Sequence, residues 1–550
     1  MIGRKSVLIV TTHYFIDFLG WIGIVVLAKL WGDFAPEAIG IIGFGMSFIS
    51  LFNIFTDLGF SAAHVKRISE GKDLGTCIGT FAAIKLLLTL IMIVSVFTTI
   101  YLMKNVFNTG FYDATTESVI IVLIFHSVFN NLQNIATQTF TGKREIAKLQ
   151  VTKMFENIVK VPLSIIVALA GVSVLGTSIS PEVQWPEFLQ PLQKFIATHA
   201  TGALAMTYVF GMMATFIVGT WVMRNYPIKK PKLSYAKSYF SFALPLAISS
   251  AIATVSHNID KIMIGYFWAS ADVGYYFSVQ RILGFISILY LSVGTILFPT
   301  ISNKHALKDM DGVKYTVHLA ERYISMVMIP PIIFVCVFPE SLIQVLLDPA
   351  FIPAAPILIM LTFYIFLRGM TTPYSSTITG INRTDILGIF GVVICLTNIV
   401  LNYLIIPKDG ILSFINIKIA SYVYPISGAM GAAFATVLSY LIAFIGMRLV
   451  AKKLTGISLF QSHTPRHIIA GLIMGVTLTL FAFHTGLFPI IRWYSLVLFG
   501  LIGLALYIGI LYLFKEFKKD DLKFFLSIIH PKEMFSYVKE ELKGEKKGKK

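Results

Sequence analysis

Lys85, Lys160, Lys261, Arg281 and Arg368 fall inside long apolar runs, as do Asp17, Glu156 and Asp260. A charged side chain at bilayer depth costs about 2.5–3.5 kcal/mol on insertion scales, so each such residue is a functional-site candidate whose partner must be sought. Lys160 follows Glu156 by one helical turn, the favourable order for an intrahelical pair, so pairing ranks ahead of ligand binding there. Asp260 and Lys261 are adjacent and point to different faces, so they do not simply neutralise each other. Lys85, Arg281 and Arg368 have no acidic residue three or four positions away. The basic excess favours an anionic ligand, and phosphate or diphosphate suits it. Arg presents a bidentate fork to phosphate oxygens and Lys a mobile point charge. The expected phosphate-binding residues are therefore Arg281, Arg368, Lys85 and Lys261, with Lys160 in second place. Asp17 and Glu156 are candidates for exchanging H⁺ or Na⁺, although Asp17 equally suits helix packing.

Neutral hydrogen-bonding residues surround these charges. His126, Asn130, Gln133 and Thr137 recur on one helical face, and Arg368 is followed by Thr371, Thr372, Ser375 and Ser376. Such stripes contact sugar hydroxyls or hold helices together. His126, Asn130 and Gln133 are the expected sugar contacts. Enzyme signals are thin. Asp309-Met310-Asp311 spells DxD inside a short Lys-rich connection, where a solvated turn is the simpler reading, and no Walker A sequence appears. Cys77, Cys336 and Cys395 are isolated, so neither metal nor redox chemistry is expected from them. No cofactor is implied.

The elements that must position these residues are membrane helices. The 550-residue chain is 56% hydrophobic and only 13% charged, with a mean hydropathy of +0.78. Fourteen apolar spans are expected, near 8–30, 37–60, 76–102, 117–139, 152–175, 201–223, 239–267, 273–299, 322–347, 354–378, 385–407, 428–449, 467–487 and 491–514. The N-terminal run is too long for a secretory signal and reads as the first span. The net charge of +17 is a topology signal rather than a nucleic-acid footprint. One set of alternate connections holds only Lys104, Lys194, Lys408, Lys418 and Arg492, whereas the other carries clusters such as Lys143, Arg144, Lys148 and Lys153. The positive-inside rule then puts both termini in the cytoplasm of a multi-pass cell-membrane protein.

An internal repeat organises the spans. Segments around Gly40, Gly142 and Glu156 match segments around Gly274, Gly380 and Thr397, in the same order and at nearly constant spacing. Six spans per copy is an even number. The expected fold is therefore all-α and polytopic, with two six-helix lobes related by a pseudo-twofold along the membrane normal and a cavity between them. The lobes cover 1–224 and 225–453, two extra spans 454–514, and a basic tail 515–550. In the tail, Leu522, Phe525, Leu526 and Ile529 have helical spacing, which suits a helix lying on an anionic leaflet. A solvated, disordered end is the alternative for the last ten residues.

The stretches "DLGFSAAHVKRISEG", "ENIVKVPLSII" and "NIDKIMIGYFWASADVGYYFSVQRI" resemble the polysaccharide-transporter (Wzx-like flippase) branch of the multidrug/oligosaccharidyl-lipid/polysaccharide exporter superfamily. The resemblance covers most of the first twelve spans. It implies a MATE-like fold, with fourteen helices typical of the lipid-flippase branches. It also implies an activity: moving a polyprenyl-phosphate- or polyprenyl-diphosphate-linked oligosaccharide to the outer leaflet. Lys160, Lys261 and Arg281 match basic positions of the family's fifth, seventh and eighth helices. Two rivals stand beside this reading. A cation-coupled drug exporter of the same superfamily implies an acidic or aromatic cavity. A membrane polysaccharide polymerase or ligase implies a large external loop with catalytic Arg and His, yet the long external loops here hold one histidine, His199.

Overall fold

The computed structural model describes residues 2–111, 114–174, 177–178, 183–419, 422–459, 461–484, 492–518 and 521. The helices are α1 (Ile2–Trp31), α2 (Ala35–Asp57), α3 (Phe60–Ser69), α4 (Leu74–Asn105), α5 (Ala114–Gly142), α6 (Ile146–Ala170), α7 (Gln190–Thr198), α8 (Ala200–Val222) and α9 (Leu233–Phe267). They continue with α10 (Ser270–Ala306), α11 (Met310–Val337), α12 (Pro339–Leu346), α13 (Ala355–Gly380), α14 (Thr384–Ile405), α15 (Gly428–Thr455), α16 (His463–Thr479) and α17 (Trp493–Leu513). Two short antiparallel hairpins, at 173–178 and 416–425, sit in the connections expected to be external.

Ten helical segments among the described residues are long and apolar enough to cross a membrane, or eleven with α9, which bends by 56° between Leu244 and Leu246. The sequence suggested fourteen spans. Part of the difference is physical: Thr12–Asp57 joins the first two expected spans, and α6 carries Lys148, Lys153, Glu156 and Lys160. The expected tail helix from Leu522 lies outside the described residues.

Packing divides the chain into two compact units, one running to Phe277 and the other starting at Ser278. This division differs from the repeat boundary at 224/225 because α9 packs against α2, α3 and α4. In the first unit, Phe60, Phe81, Leu88, Tyr239 and Ala243 form one core cluster. Leu86, Leu87 and Leu90 of α4 are exposed, as lipid-facing side chains are.

Helix α2 and the start of α10 approach each other closely through glycine. A Cβ on Gly40 would lie 1.7 Å from the Ser270 carbonyl oxygen, and one on Gly274 would lie 1.9 Å from that of Pro36. The two glycines that the repeat equates therefore touch each other. Gly40→Ala is expected to cost at least about 1–3 kcal/mol, because backbone cannot yield as a side chain does. A lowered Tm in detergent would show it; an unchanged Tm would mean that the helices separate at no cost.

In the second unit, the chain after α17 folds back onto α11 and α16. The Arg322 guanidinium grips Asp521 through Nη1 at 2.9 Å and Nη2 at 2.7 Å. Tyr323 OH donates to the same carboxylate at 3.1 Å, and Arg466 pairs with Glu516. Burial raises the carboxyl pKa of both acids, but hydrogen bonds and charge from Arg466 and Arg322 outweigh it and leave both below their ordinary values. A depressed carboxylate stabilises the fold above its ordinary pKa of about 4 and stops doing so as pH falls through the folded value. Acidification below about pH 4 is thus expected to release this clasp and speed proteolysis near Lys518. Equal cleavage at neutral and acidic pH, with a protease active at both, would contradict it.

Candidate functional site

Each unit presents a polar constellation among its apolar helices. In the first, α5, α6 and α8 bring His126, Glu156, Lys160 and Tyr208 together. Lys160 Nζ lies 3.9 Å from Glu156 Oε1, a loose version of the expected intrahelical pair. The same ammonium sits 4.7 Å from the centre of the Tyr208 ring, and His126 meets that ring edge-on at 6.5 Å. Such a stack gives the cation a partner that needs no formal charge. Helix α1 closes the site: Asn157 of α6 donates to the Ile16 carbonyl at 2.7 Å, next to Asp17. A pocket runs between these helices, lined by Gly20, Gly23, Lys160, Ser164 and Tyr208 among others.

The α5 stripe is less uniform than its spacing suggested. Asn130 is exposed, whereas Gln133 and Thr137 are buried. The neighbouring stripe does the gluing: Ser127 and Asn131 donate to Asn53 at 2.7 and 3.3 Å, and Asn134 donates to Ser61 at 3.4 Å.

Lys85 is placed differently from the expectation of a cavity role. Its side chain is fully buried, and Nζ binds the Thr56 carbonyl at 2.9 Å and Asp57 Oδ1 at 3.1 Å. Sequence spacing missed Asp57 because it arrives from α2. Lys261 is also buried and donates to the His257 carbonyl at 2.8 Å. Its neighbour Asp260 accepts a 2.6 Å hydrogen bond from Tyr276.

In the second unit the centre is Arg368 on α13. Its Nη1 donates to Tyr364 OH at 2.8 Å. Tyr440 of α15 meets Tyr364 edge-on at 4.6 Å, and Tyr290 of α10 adds a further phenol to the guanidinium's electrostatic surroundings. No carboxylate pairs with Arg368 among the described residues, and the side chain is exposed. An accessible guanidinium ringed by phenols retains free donors and adds neutral ones, a chemistry suited to phosphate oxygens. Arg281 of α10 is exposed in the same unit. Tyr364 precedes Arg368 by one turn and was legible as a same-face neighbour; Tyr440, Tyr290 and Tyr208 come from distant spans and carried no sequence signal.

Comparisons with known proteins find similar chains and a shared fold. Two families described as polysaccharide biosynthesis proteins match residues 2–180 and 195–356. A probable low-salt glycan biosynthesis flippase, Agl15 of Haloferax volcanii, is 19% identical over 501 residues, covering 91% of this chain and 94% of the relative. The inward closed structure of the lipid II flippase MurJ superposes with a TM-score of 0.66 at 16% identity, covering 91% of this chain and 98% of that one.

The chain is thus similar to polysaccharide biosynthesis proteins over two separate stretches and shares the fold of a lipid II flippase.

An inward-facing multidrug resistance MATE family transporter of the MOP superfamily shares the fold, with a TM-score of 0.57 at 15% identity over 83% of this chain and 99% of that one. This all-α, multi-pass architecture is the one that the apolar spans required.

Proposed function

We propose that this protein is a flippase that moves a polyprenyl-phosphate- or polyprenyl-diphosphate-linked oligosaccharide from the cytoplasmic to the outer leaflet by alternating access. Both termini lie in the cytoplasm. The observation that carries the reading is Arg368: a guanidinium at membrane depth, exposed, ringed by tyrosines and lacking a carboxylate partner among the described residues. The full-length likeness to a probable glycan biosynthesis flippase supports the substrate class. In this reading Arg368 and Arg281 are the phosphate-binding residues of the second unit, and Lys261 and Lys160, the latter seated on Tyr208, are those of the first. His126 and Tyr208 offer an aromatic and hydrogen-bonding surface to sugar, with Asn130 and Gln133 as further contacts. Asp17 and Glu156 exchange H⁺ or Na⁺ beside the same pocket. The lipid tail stays in hydrocarbon while polar protein groups replace the head group's water.

A cation exporter implies an acidic or aromatic cavity; Tyr364 and Tyr440 are aromatic, and the guanidinium of Arg368 is what opposes a cationic cargo. Depleting the protein in its host separates the two. Lipid-linked glycan should accumulate out of reach of an externally added lectin; unchanged lectin labelling would contradict the proposal.

A further inference from the structure

A short helix outside the polar sites lies at the start of α8. A 3-10 turn, Glu187–Leu189, leads into α7, and one residue, His199, separates α7 from the apolar span Ala200–Val222. Pro191 suits the first turn of α7, where its missing N–H would have no intrahelical acceptor. His199, with φ −113° and ψ +38°, leaves helical geometry and ends the helix. The chain entering α7 is pinned to it by Gln193, whose Nε2 donates to the Val183 carbonyl at 2.7 Å and whose Oε1 accepts from the Trp185 backbone N–H at 3.1 Å. Helix α7 packs against α6, α8 and the strand at 173–174. These contacts and the one-residue joint hold it close to the level at which α8 enters hydrocarbon.

Around this helix the side chains sort into three sides. Leu189, Ile196 and Ala197 are half-buried and face the protein. Glu187, Gln190, Lys194 and Thr198 are polar and exposed, and they include both charges of the segment. Phe188, Leu192 and Phe195 follow one another at intervals of four and three residues, which sets them on a third side, and they remain 80%, 49% and 62% exposed. His199 continues that side, its ring 4.8 Å from the ring of Phe195. A helix between protein and water needs one apolar side; the second apolar side needs another medium.

We propose that α7 is an interfacial helix whose Phe188, Leu192 and Phe195 insert among the acyl chains of the adjacent leaflet. Three observations select lipid as the occupant. The first is continuity: α8 carries an exposed apolar line of Met206, Phe210, Ile217 and Trp221, the lipid-facing pattern also present on α4, and α7 ends one residue before that helix begins. The second is the placement of charge. Glu187 and Lys194 are turned away from the exposed apolar side, as in helices that lie in a membrane surface with the apolar face about 5–10 Å deep. The third is area: a stable protein partner needs about 800 Å² from each side, more than one line of three side chains supplies. Trp185, held to α7 through Gln193, adds a residue type that favours the membrane–water interface. What the insertion anchors is the start of α8, the helix that brings Tyr208 to Lys160. The topology proposed above makes the leaflet the outer one; insertion itself depends on neither that topology nor the flippase reading.

The test uses the full chain in phosphatidylcholine liposomes. A tryptophan is added singly as Leu192→Trp, Phe195→Trp or Lys194→Trp, all at exposed positions where the fold is not at stake. The emission gained over the six native tryptophans is then compared between ordinary lipid and lipid brominated on its acyl chains. The gained emission at 192 and 195 should lie at shorter wavelength and be quenched by brominated lipid. That at 194 should resist brominated lipid and be quenched by acrylamide in the water. Equal acrylamide quenching at all three positions, with no effect of bromine, would put the apolar side in water and overturn the proposal. Shielding of 192 and 195 from both quenchers would show that protein covers this side, a second copy or another partner, and would overturn it equally.

Discussion

Arg368→Ala is expected to slow exposure of a lipid-linked glycan by at least about tenfold while leaving the fold intact. Hydrogen bonds to a charged group contribute about 1.5–3 kcal/mol each, and the guanidinium supplies the free donors of this site. Stability should change little, because Arg368 is exposed and its bonded partner is the neutral hydroxyl of Tyr364. Arg368→Lys should recover only part of the rate, since an ammonium keeps the charge but loses the planar fork that meets two phosphate oxygens. Unaltered exposure in a folded Arg368→Ala protein would remove the cationic head-group site from the account.

The second large effect concerns stability. Asp57→Ala strips the counter-charge from a lysine with no access to water, and breaking a buried pair in this way costs about 3–5 kcal/mol. Lys85→Met should cost clearly less, because it leaves the partly accessible Asp57 carboxylate, which water can still solvate, and fills the apolar slot beside Phe81. The asymmetry is the diagnostic. Equal losses in Tm for the two variants, or no loss in either, would show that Lys85 is not sealed.

Much of the fold was legible because hydrocarbon imposes a simple rule: spanning helices must be long and apolar, and their charged connections sort by side. Gly40 and Gly274, which the sequence repeat aligns, lie in close contact. What sequence spacing could not supply is contact between distant spans. Lys85 looked unpaired because Asp57 reaches it from another helix. The same blindness hid Tyr208 over Lys160 and Tyr440 beside the Arg368 site. Short helices were missed for a different reason: α3 and α7 have no spanning run, and α3 exists because Leu58 and Gly59 turn the chain after α2. On α5 two polar faces adjoin, and the one that packs against α2 and α3 carries Ser127, Asn131 and Asn134.

The central claim is that this protein carries an anionic, lipid-linked sugar. The most direct measurement reconstitutes it in liposomes with an NBD-labelled polyprenyl-diphosphate N-acetylglucosamine in the inner leaflet and follows quenching by an impermeant reductant added outside. The account expects protein-dependent exposure that inorganic diphosphate inhibits and that Arg368→Ala lowers by at least about tenfold. Exposure no faster than in protein-free liposomes, with a cationic dye transported instead, would contradict it.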